Sequence, residues 1–598
     1  MMPQSDRLTK YLPPELILDI FSRVLQPEQR AKWTSYSPPK TTLTPFFLGK
    51  ICRAWRYLTW ASPDLWSNLT LSLHPDHYPT QVALLRQWLH RCGNQPLVIT
   101  LCGLGGEEDQ YWEAHPPREI FRQLASVATR WKHVDIFLPY PCYTDLSLVR
   151  NRLSQLQSLI IRPPDGVDVM FNHKLDFFQN APSLTNLSIF GLYYSGCTML
   201  PWNQLSTLSG QDFCVDDCYT MLRNAPNLVQ CRFNSVHQPS DFAYPSRTPI
   251  RLPRLQTLEL SSIGNMVATA FLYSLEVPVL KSLKLSLGFS FDDRESFSLS
   301  SLTSLIGRSG CSTALQRLSV TNIRLIEQEL IDCIACTPFL THLRLHVEYP
   351  KTFPGMFISD TFLAALCPPS MREPGVAAIL PFDRPLLLKL KALEYSGPVN
   401  ITGRALQIML EFRWPPGQQH PPRQHSPRSS FSGDQSNIKD SPTNARPAST
   451  VDRLRHVLIE STIPVYLAQE VQASLRALVS KGMDLILTNG YTSWIHDNWL
   501  PIHDSVESPQ MGSDRDHGHW DPGRLSSTST SSSLSASTSN QSLTMTALPK
   551  SESESSNVFV MAFADYLHPV LLTRRSEIPG LPPPRKPLMN PPTKPSPL

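Results

Sequence analysis

The sequence predicts an α/β chain: a stack of strand-plus-helix units, led by a short helical module and broken by long polar segments. Three observations carry this. A Leu-x-x-Leu-x-Leu unit recurs from Leu156 to Ile459. Helix-like runs that end in proline separate many of the copies. Proline is also abundant, at 56 of 598 residues against only 25 glycines, where ~5% proline is usual, so much of the chain does not pack.

The first zone, residues 8–73, is apolar and Trp-rich and reads as helices. Pro14 suits a first helical turn, where its missing N–H costs nothing, and Glu15 complements the positive helix end. Leu16, Ile17, Ile20, Phe21 and Val24 fall on one face. A stretch rich in Pro and Thr leads to Pro45. Leu48, Ile51, Cys52, Trp55 and Leu58 then mark a second apolar face, and Leu69, Leu71 and Leu73 alternate as a strand.

The second zone, residues 74–414, repeats. Copies of the unit start at Leu156, Leu184, Leu228, Leu255, Leu280, Leu315, Leu340 and Leu390, often with proline two residues before the first leucine. Neighbouring copies lie mostly 25–35 residues apart, with longer gaps at 184–228 and 340–390. Helix-like runs occupy Leu175–Ala181, Cys218–Ala225, Phe271–Glu276 and Glu329–Thr337. Proline disfavours helical geometry in the residue before it, so it marks each switch from helix to strand. A strand-plus-helix unit at this period is the signature of a leucine-rich solenoid. One unit cannot bury its leucines alone, whereas a stack buries them in a continuous core. The uneven spacing predicts an irregular leucine-rich-repeat solenoid.

Residues 415–450 contain only two bulky apolar side chains, Phe431 and Ile438, and are expected to be a disordered insertion. Residues 451–500 resume the pattern as a terminal repeat unit: Leu454, Val457 and Ile459, then a helix over Ala468–Val479, Gly482 at its end, and a last strand at Met483–Leu487. Residues 501–598 are expected to be a mostly disordered Ser- and Pro-rich tail, with 15 of the 22 residues at 525–546 being Ser or Thr. Its apolar island, Val558–Phe563, either packs back or binds a partner. The Ser/Thr run and pairs such as Ser426-Pro427, Ser441-Pro442 and Ser508-Pro509 read as phosphorylation sites or as plain solvating sequence.

Charge and cysteine usage narrow the class. A net charge of +4, from 54 basic and 50 acidic residues, gives no whole-molecule reason to bind nucleic acid or an acidic membrane. No apolar run reaches the ~18 residues of a spanning helix, and the first residues lack the apolar core of a secretory signal. Twelve cysteines without a small-domain framework fit reduced thiols, hence a cytoplasmic or nuclear setting.

Catalytic signatures are absent or weak. Cys333 and Cys336 form a C-x-x-C without a second pair at zinc spacing, and Cys214 and Cys218 likewise stand alone, so buried free thiols are the simpler reading. Gly103, Gly105 and Gly106 lack the third glycine of a dinucleotide loop, and Glu107, Glu108 and Asp109 would repel phosphate. His517 and His519, near Asp514 and Asp516, lie in the polar tail. No P-loop, G-x-S-x-G or H-E-x-x-H occurs. The sequence therefore points to a protein that is not an enzyme and has no metal or cofactor.

Four sub-motifs of the first zone occur together and in order: Leu12-Pro13-Pro14-Glu15, the apolar helix to Phe21, Ile51-Cys52-Arg53-Ala54-Trp55-Arg56, and Pro63-Asp64-Leu65-Trp66. This combination resembles the F-box. With its long middle segment and the Leu-rich region that follows, the chain is similar to the fungal, mushroom-type F-box proteins. The resemblance implies an F-box-like three-helix module that docks on the Skp-type adaptor of a cullin–RING ubiquitin ligase. Leu12, Pro13, Glu15, Ile17, Ile20, Leu48, Ile51 and Trp55 are its candidates for core or docking. A double change of Ile17 and Leu48 to Asp is expected to abolish adaptor binding while the chain stays folded. The chain departs from the family in the 21-residue stretch Leu25–Pro45, longer than many F-boxes have there.

The resemblance also implies that the region after the F-box recruits a target protein. Alternate strand positions face outward, and Arg232, Glu259, Lys284, Arg344, His346 and Glu394 are the candidates for target contact, or an ordinary solvated face. The function expected is that of a substrate receptor of an SCF-type ligase. The alternative is a leucine-rich-repeat scaffold whose first helices only cap the solenoid, without a ligase.

Overall fold

The structure is a computed structural model. It describes residues 11–25, 43–103, 112, 114–162, 176–190, 199–238, 249–288, 297–347, 357–373, 375, 380–414, 451–461, 465–489 and 493–495. The chain divides into two units, 1–503 and 504–598. The second lies outside the described residues, as do the insertion at 415–450, the stretch 26–42, the Ser-Pro pairs, His517 and His519, and the apolar island at 558–563.

Among the described residues, fourteen strands form one sheet in chain order, every neighbouring pair parallel. They are β1 (Asn68–Leu73), β2 (Leu97–Gly103), β3 (Trp131–Phe137), β4 (Ser158–Arg162), β5 (Asn186–Phe190), β6 (Thr207–Cys214), β7 (Gln230–His237), β9 (Thr257–Ile263), β11 (Ser282–Leu287), β12 (Arg317–Ile323), β13 (His342–Val347), β15 (Ala392–Ser396), β17 (His456–Glu460) and β18 (Asp484–Thr488). Two short pairs lie outside it: β8 (Ile250–Arg251) with β10 (Leu275–Glu276), and β14 (Ile358–Ser359) with β16 (Val399–Asn400).

The register explains why leucine repeats. Leu258, Leu283, Leu318 and Leu343 pair in sequence across β9–β13, and Leu260, Leu285, Val320 and Leu345 form a second row two residues on. Alternate residues of a strand share a face, so both rows point the same way and are buried. Each row fills the gap beneath its neighbour, which one unit alone cannot do. These leucines belong to one continuous apolar core that runs from Ile17 to Ile495.

Several elements sit where the sequence places them. Helices cover Val215–Asn224 and Glu327–Ala335, close to the expected runs. Helix Gln469–Ser480 is followed by Gly482 at φ 94, whose N–H bonds the Val479 carbonyl at 2.8 Å. Other expectations are corrected. Residues 177–180 form a turn rather than a helix. The helix expected over Phe271–Glu276 spans Asn265–Ser274, and Leu275–Glu276 is β10.

The long gap at 184–228 contains a strand, β6, that the leucine pattern hides, because Gly210 stands in the second leucine row. A Cβ there would meet the Phe233 ring at 2.7 Å, so this glycine makes room for the neighbouring strand's aromatic side chain. Asp212, Ser235, Ser262 and Asn322 occupy the same place near the ends of β6, β7, β9 and β12, all with left-handed φ between 52 and 62. Short polar side chains tolerate that region better than branched ones.

The second gap, 340–390, adds no strand to the main sheet, because β13 pairs directly with β15. It holds β14 and the short helix Asp360–Ala365. Fully buried Arg413 secures this region by donating to the carbonyls of Leu387 at 2.7 Å, Leu366 at 3.0 Å and Leu386. Burial lowers its pKa to about 10, so it remains a cation at neutral pH.

Candidate functional site

Two surfaces matter: the helical module before β1 and the sheet face that carries the non-leucine positions. The module has helices α1 (Pro14–Leu25), α2 (Pro45–Ile51) and α3 (Arg53–Ala61), then a 3-10 turn at Pro63–Trp66. The single apolar face expected over Leu48–Leu58 is interrupted, because Cys52 is extended at φ −154 and separates α2 from α3. Its Sγ accepts from the Trp55 N–H at 3.4 Å and so starts the next helix. Gly49 lets Trp60 lie against α2, where a Cβ would come within 2.1 Å of the ring. Arg56 ties the same corner by donating to the Gly49 carbonyl at 2.8 Å.

The apolar face of α1 divides into two stripes. Ile17, Phe21 and Leu25 are buried, and Phe21 meets Trp55 with ring centroids 4.6 Å apart. Leu16, Ile20 and Val24, one residue earlier in each turn, are 52%, 46% and 46% exposed. On α2, Leu48 is buried while Phe47 and Ile51 are exposed. Of the residues singled out by the F-box resemblance, Ile20 and Ile51 thus lie on the uncovered surface with Pro13 and Glu15. Leu12 and Trp55 are half-buried, and Ile17 and Leu48 are core at 3% exposure each. Placing Asp at both core positions would put charge into the module's interior, so the expectation that such a variant stays folded is corrected. Leu16, Val24 and Phe47 are the exposed residues that the sequence reading left off its docking set. A period of 3.6 marks an apolar face but not where the next helix stops covering it.

The module is not separate from the sheet. Trp66 lies among Phe46, Trp60 and Trp88, with centroids 5.1, 5.5 and 5.0 Å away, and Arg91 stacks 5.2 Å from its ring. Trp88 belongs to helix Tyr78–Cys92, which connects β1 to β2. The boundary at residue 73 is therefore no gap in packing.

On the sheet face, the register assembles the target-contact candidates. Arg232, Glu259 and Lys284 pair across β7, β9 and β11. Glu259 receives Arg232 at 2.6 Å and Lys284 at 2.5 Å. Partial burial works to raise the Glu259 pKa, but the hydrogen bonds from Lys284 and Arg232 outweigh it and hold the carboxyl below its usual range. Arg344 and Glu394 pair at 3.4 Å, while His346 is half-buried. Five of the six candidates are thus already engaged with one another.

Near the other end of the sheet, Arg162 grips Asp135 with two hydrogen bonds of 3.0 and 2.8 Å. Burial still raises Asp135 above the ordinary range, and it pushes the nearby Cys102 thiol up to about 12. A thiol so raised is a poor nucleophile at neutral pH. Cys333 is pushed up to about 12 by burial as well, while its C-x-x-C partner Cys336 is exposed. Among the described residues, no group of three or more His, Cys, Asp or Glu side chains could hold a metal ion. No described helix is long and apolar enough to cross a membrane.

The fold is an α/β stack with a long parallel sheet of the leucine-rich-repeat kind, defined by its strand order and its paired leucine rows. No family model matches the chain, and no curated protein matches it. Among solved structures it is similar to an internalin from Listeria monocytogenes at 11% sequence identity, with 53% of this chain and 65% of that chain covered and a TM-score of 0.23. The chain thus spans just under two thirds of that structure's length, and so distant a likeness says nothing of function.

Proposed function

We propose that the chain is a protein-binding scaffold that serves as the substrate-recognition subunit of a cullin–RING, SCF-type ubiquitin ligase. The F-box-like module would dock on a Skp-type adaptor, and through it on the cullin, while the repeat region would hold a target protein. The observation that carries this reading is the exposed Leu16–Ile20–Val24 stripe, beside the sub-motifs that resemble the F-box. The three side chains lie one turn apart as a continuous apolar strip, and because each is already about half covered, covering the rest stabilises a complex by about 0.7–1.5 kcal/mol per residue before the costs of association. Catalysis would be by proximity: one end holds the adaptor, the other holds the target, and effective concentration promotes transfer by the ligase's other subunits.

A second reading keeps the scaffold and omits the ligase, with the module as a cap on the stack. The continuous packing of Trp66 on Trp88 favours it, since terminal repeats need covering. Co-purification with a Skp-type adaptor separates the two. Wild-type protein should retain the adaptor, and a Leu16→Asp, Ile20→Asp variant should lose at least tenfold in affinity with its circular dichroism unchanged. Ile17→Asp serves as the folding control and should lower the melting temperature instead. Wild-type protein that never retains adaptor would leave the scaffold reading alone.

A further inference from the structure

The register collects a band of cations that are far apart in sequence. The residue before each of five successive strands and the strand's first residue are Lys281-Ser282, Gln316-Arg317, Thr341-His342, Lys391-Ala392 and Arg455-His456. Main-chain hydrogen bonds fix their adjacency: Arg317 N–H to Lys281 O at 3.0 Å, His342 to Gln316 at 3.1 Å, Lys391 to Thr341 at 2.8 Å and Arg455 to Lys391 at 2.8 Å. These ten positions contain no carboxylate, and Lys281, Arg317, His342, Lys391 and Arg455 are all exposed.

The nearest acids adjoin the band's β15–β17 end. Asp452 lies 3.2 Å from Lys389 and 3.9 Å from Lys391, Asp484 is paired with His456 at 2.7 Å, and Glu394 faces Arg344. Among the described residues no carboxylate pairs with Lys281, Arg317 or Arg455. The local field is positive: partial burial, then Arg317 and Lys391, lower the His342 pKa more than Glu394 raises it.

We infer that this band is a docking site for an extended acidic segment of a protein partner. Five strands about 4.8 Å apart span about 19 Å, the length of roughly six residues of extended peptide. Such a segment with a carboxylate at alternate positions presents three acids about 6.6 Å apart to five cations about 4.8 Å apart, a mismatch that long Lys and Arg side chains can close. Nucleic acid fits less well, because the chain's overall charge of +4 adds little long-range attraction for a polyanion. The inference rests on the protein-binding half of the proposed function and is independent of adaptor docking.

Fluorescence anisotropy tests it with the full chain and two labelled probes, a Glu-rich octapeptide and a single-stranded DNA octamer, at low salt. The peptide should bind, weaken as salt rises, and weaken at least tenfold with Arg317→Glu, Lys391→Glu. Arg404→Glu, an exposed change on helix Gly403–Arg413, should leave peptide binding within twofold of wild type. Absence of peptide binding, equal binding by the double variant with its melting curve intact, an equal loss with Arg404→Glu, or tighter binding of the DNA lost in that same double variant would each overturn the inference. Adaptor retention by the double variant shows separately whether the ligase reading stands.

Discussion

Trp88 donates its indole N–H to the main-chain carbonyl of Trp66 at 2.6 Å, and the two rings meet edge to face with centroids 5.0 Å apart. Trp66 in turn donates to the Thr59 carbonyl at 2.9 Å. The last helix of the module, the turn after it and the first helix of the stack are thereby joined through two indoles. Edge-to-face aromatic pairs add about 0.5–1.5 kcal/mol beyond the area they bury, so this joint couples the module's stability to the sheet's.

Replacing Trp88 with Phe keeps most of the ring and removes the donor. The Trp66 carbonyl loses a buried partner, at a cost of about 1–3 kcal/mol. Trp66→Ala should cost more, about 3–5 kcal/mol, and should let the module melt before the stack. Thermal unfolding followed by tryptophan fluorescence and by far-UV circular dichroism should then separate into two transitions. Coincident transitions in Trp66→Ala would show that the joint is not what couples them.

Gly210 and Phe233 should behave as a pair. An added methyl at Gly210 must push against a ring held between neighbouring strands, so Gly210→Ala should destabilise by about 1–3 kcal/mol. The smaller, more adaptable side chain of Phe233→Leu should recover part of that loss in the double variant. Simple additivity of the two losses in denaturant titrations would reject the steric account.

Stability should decline in mild acid. Partial burial, with the charge of Lys132, holds the His133 imidazole below its ordinary pKa of 6.5. The unfolded chain then takes up the proton more readily than the folded one. The contribution is therefore complete above pH ~6.5 and is lost as pH falls through the lower, folded value. His342 acts in the same direction. The melting temperature should fall between pH 7.5 and 5.5, and fall less in His133→Gln. An equal fall in both proteins would assign the effect elsewhere.

Much of the architecture was legible because leucine does one job in each unit. The strands at Leu258, Leu283, Leu318 and Leu343 are readable from spacing alone. β6 was not, since Gly210 replaces a leucine in order to seat Phe233, a reason that exists only across two strands. The left-handed positions at Asp212, Ser235, Ser262 and Asn322 left a faint trace, a short polar residue two places after the second leucine row. Without the strand pairing, that trace looks like any exposed position.

At the functional surfaces the division is sharper. Period and composition by themselves determined that a short amphipathic module precedes a leucine-built stack, because burial imposes those spacings on any such chain. Which apolar stripe of α1 stays uncovered was decided only in three dimensions, where Trp55 packs on Phe21 and leaves Leu16, Ile20 and Val24 outside. The same holds for the band from Lys281 to Arg455. Residues up to 174 positions apart become neighbours only because parallel pairing sets every strand in one register, and local sequence carries no record of what lies beside it.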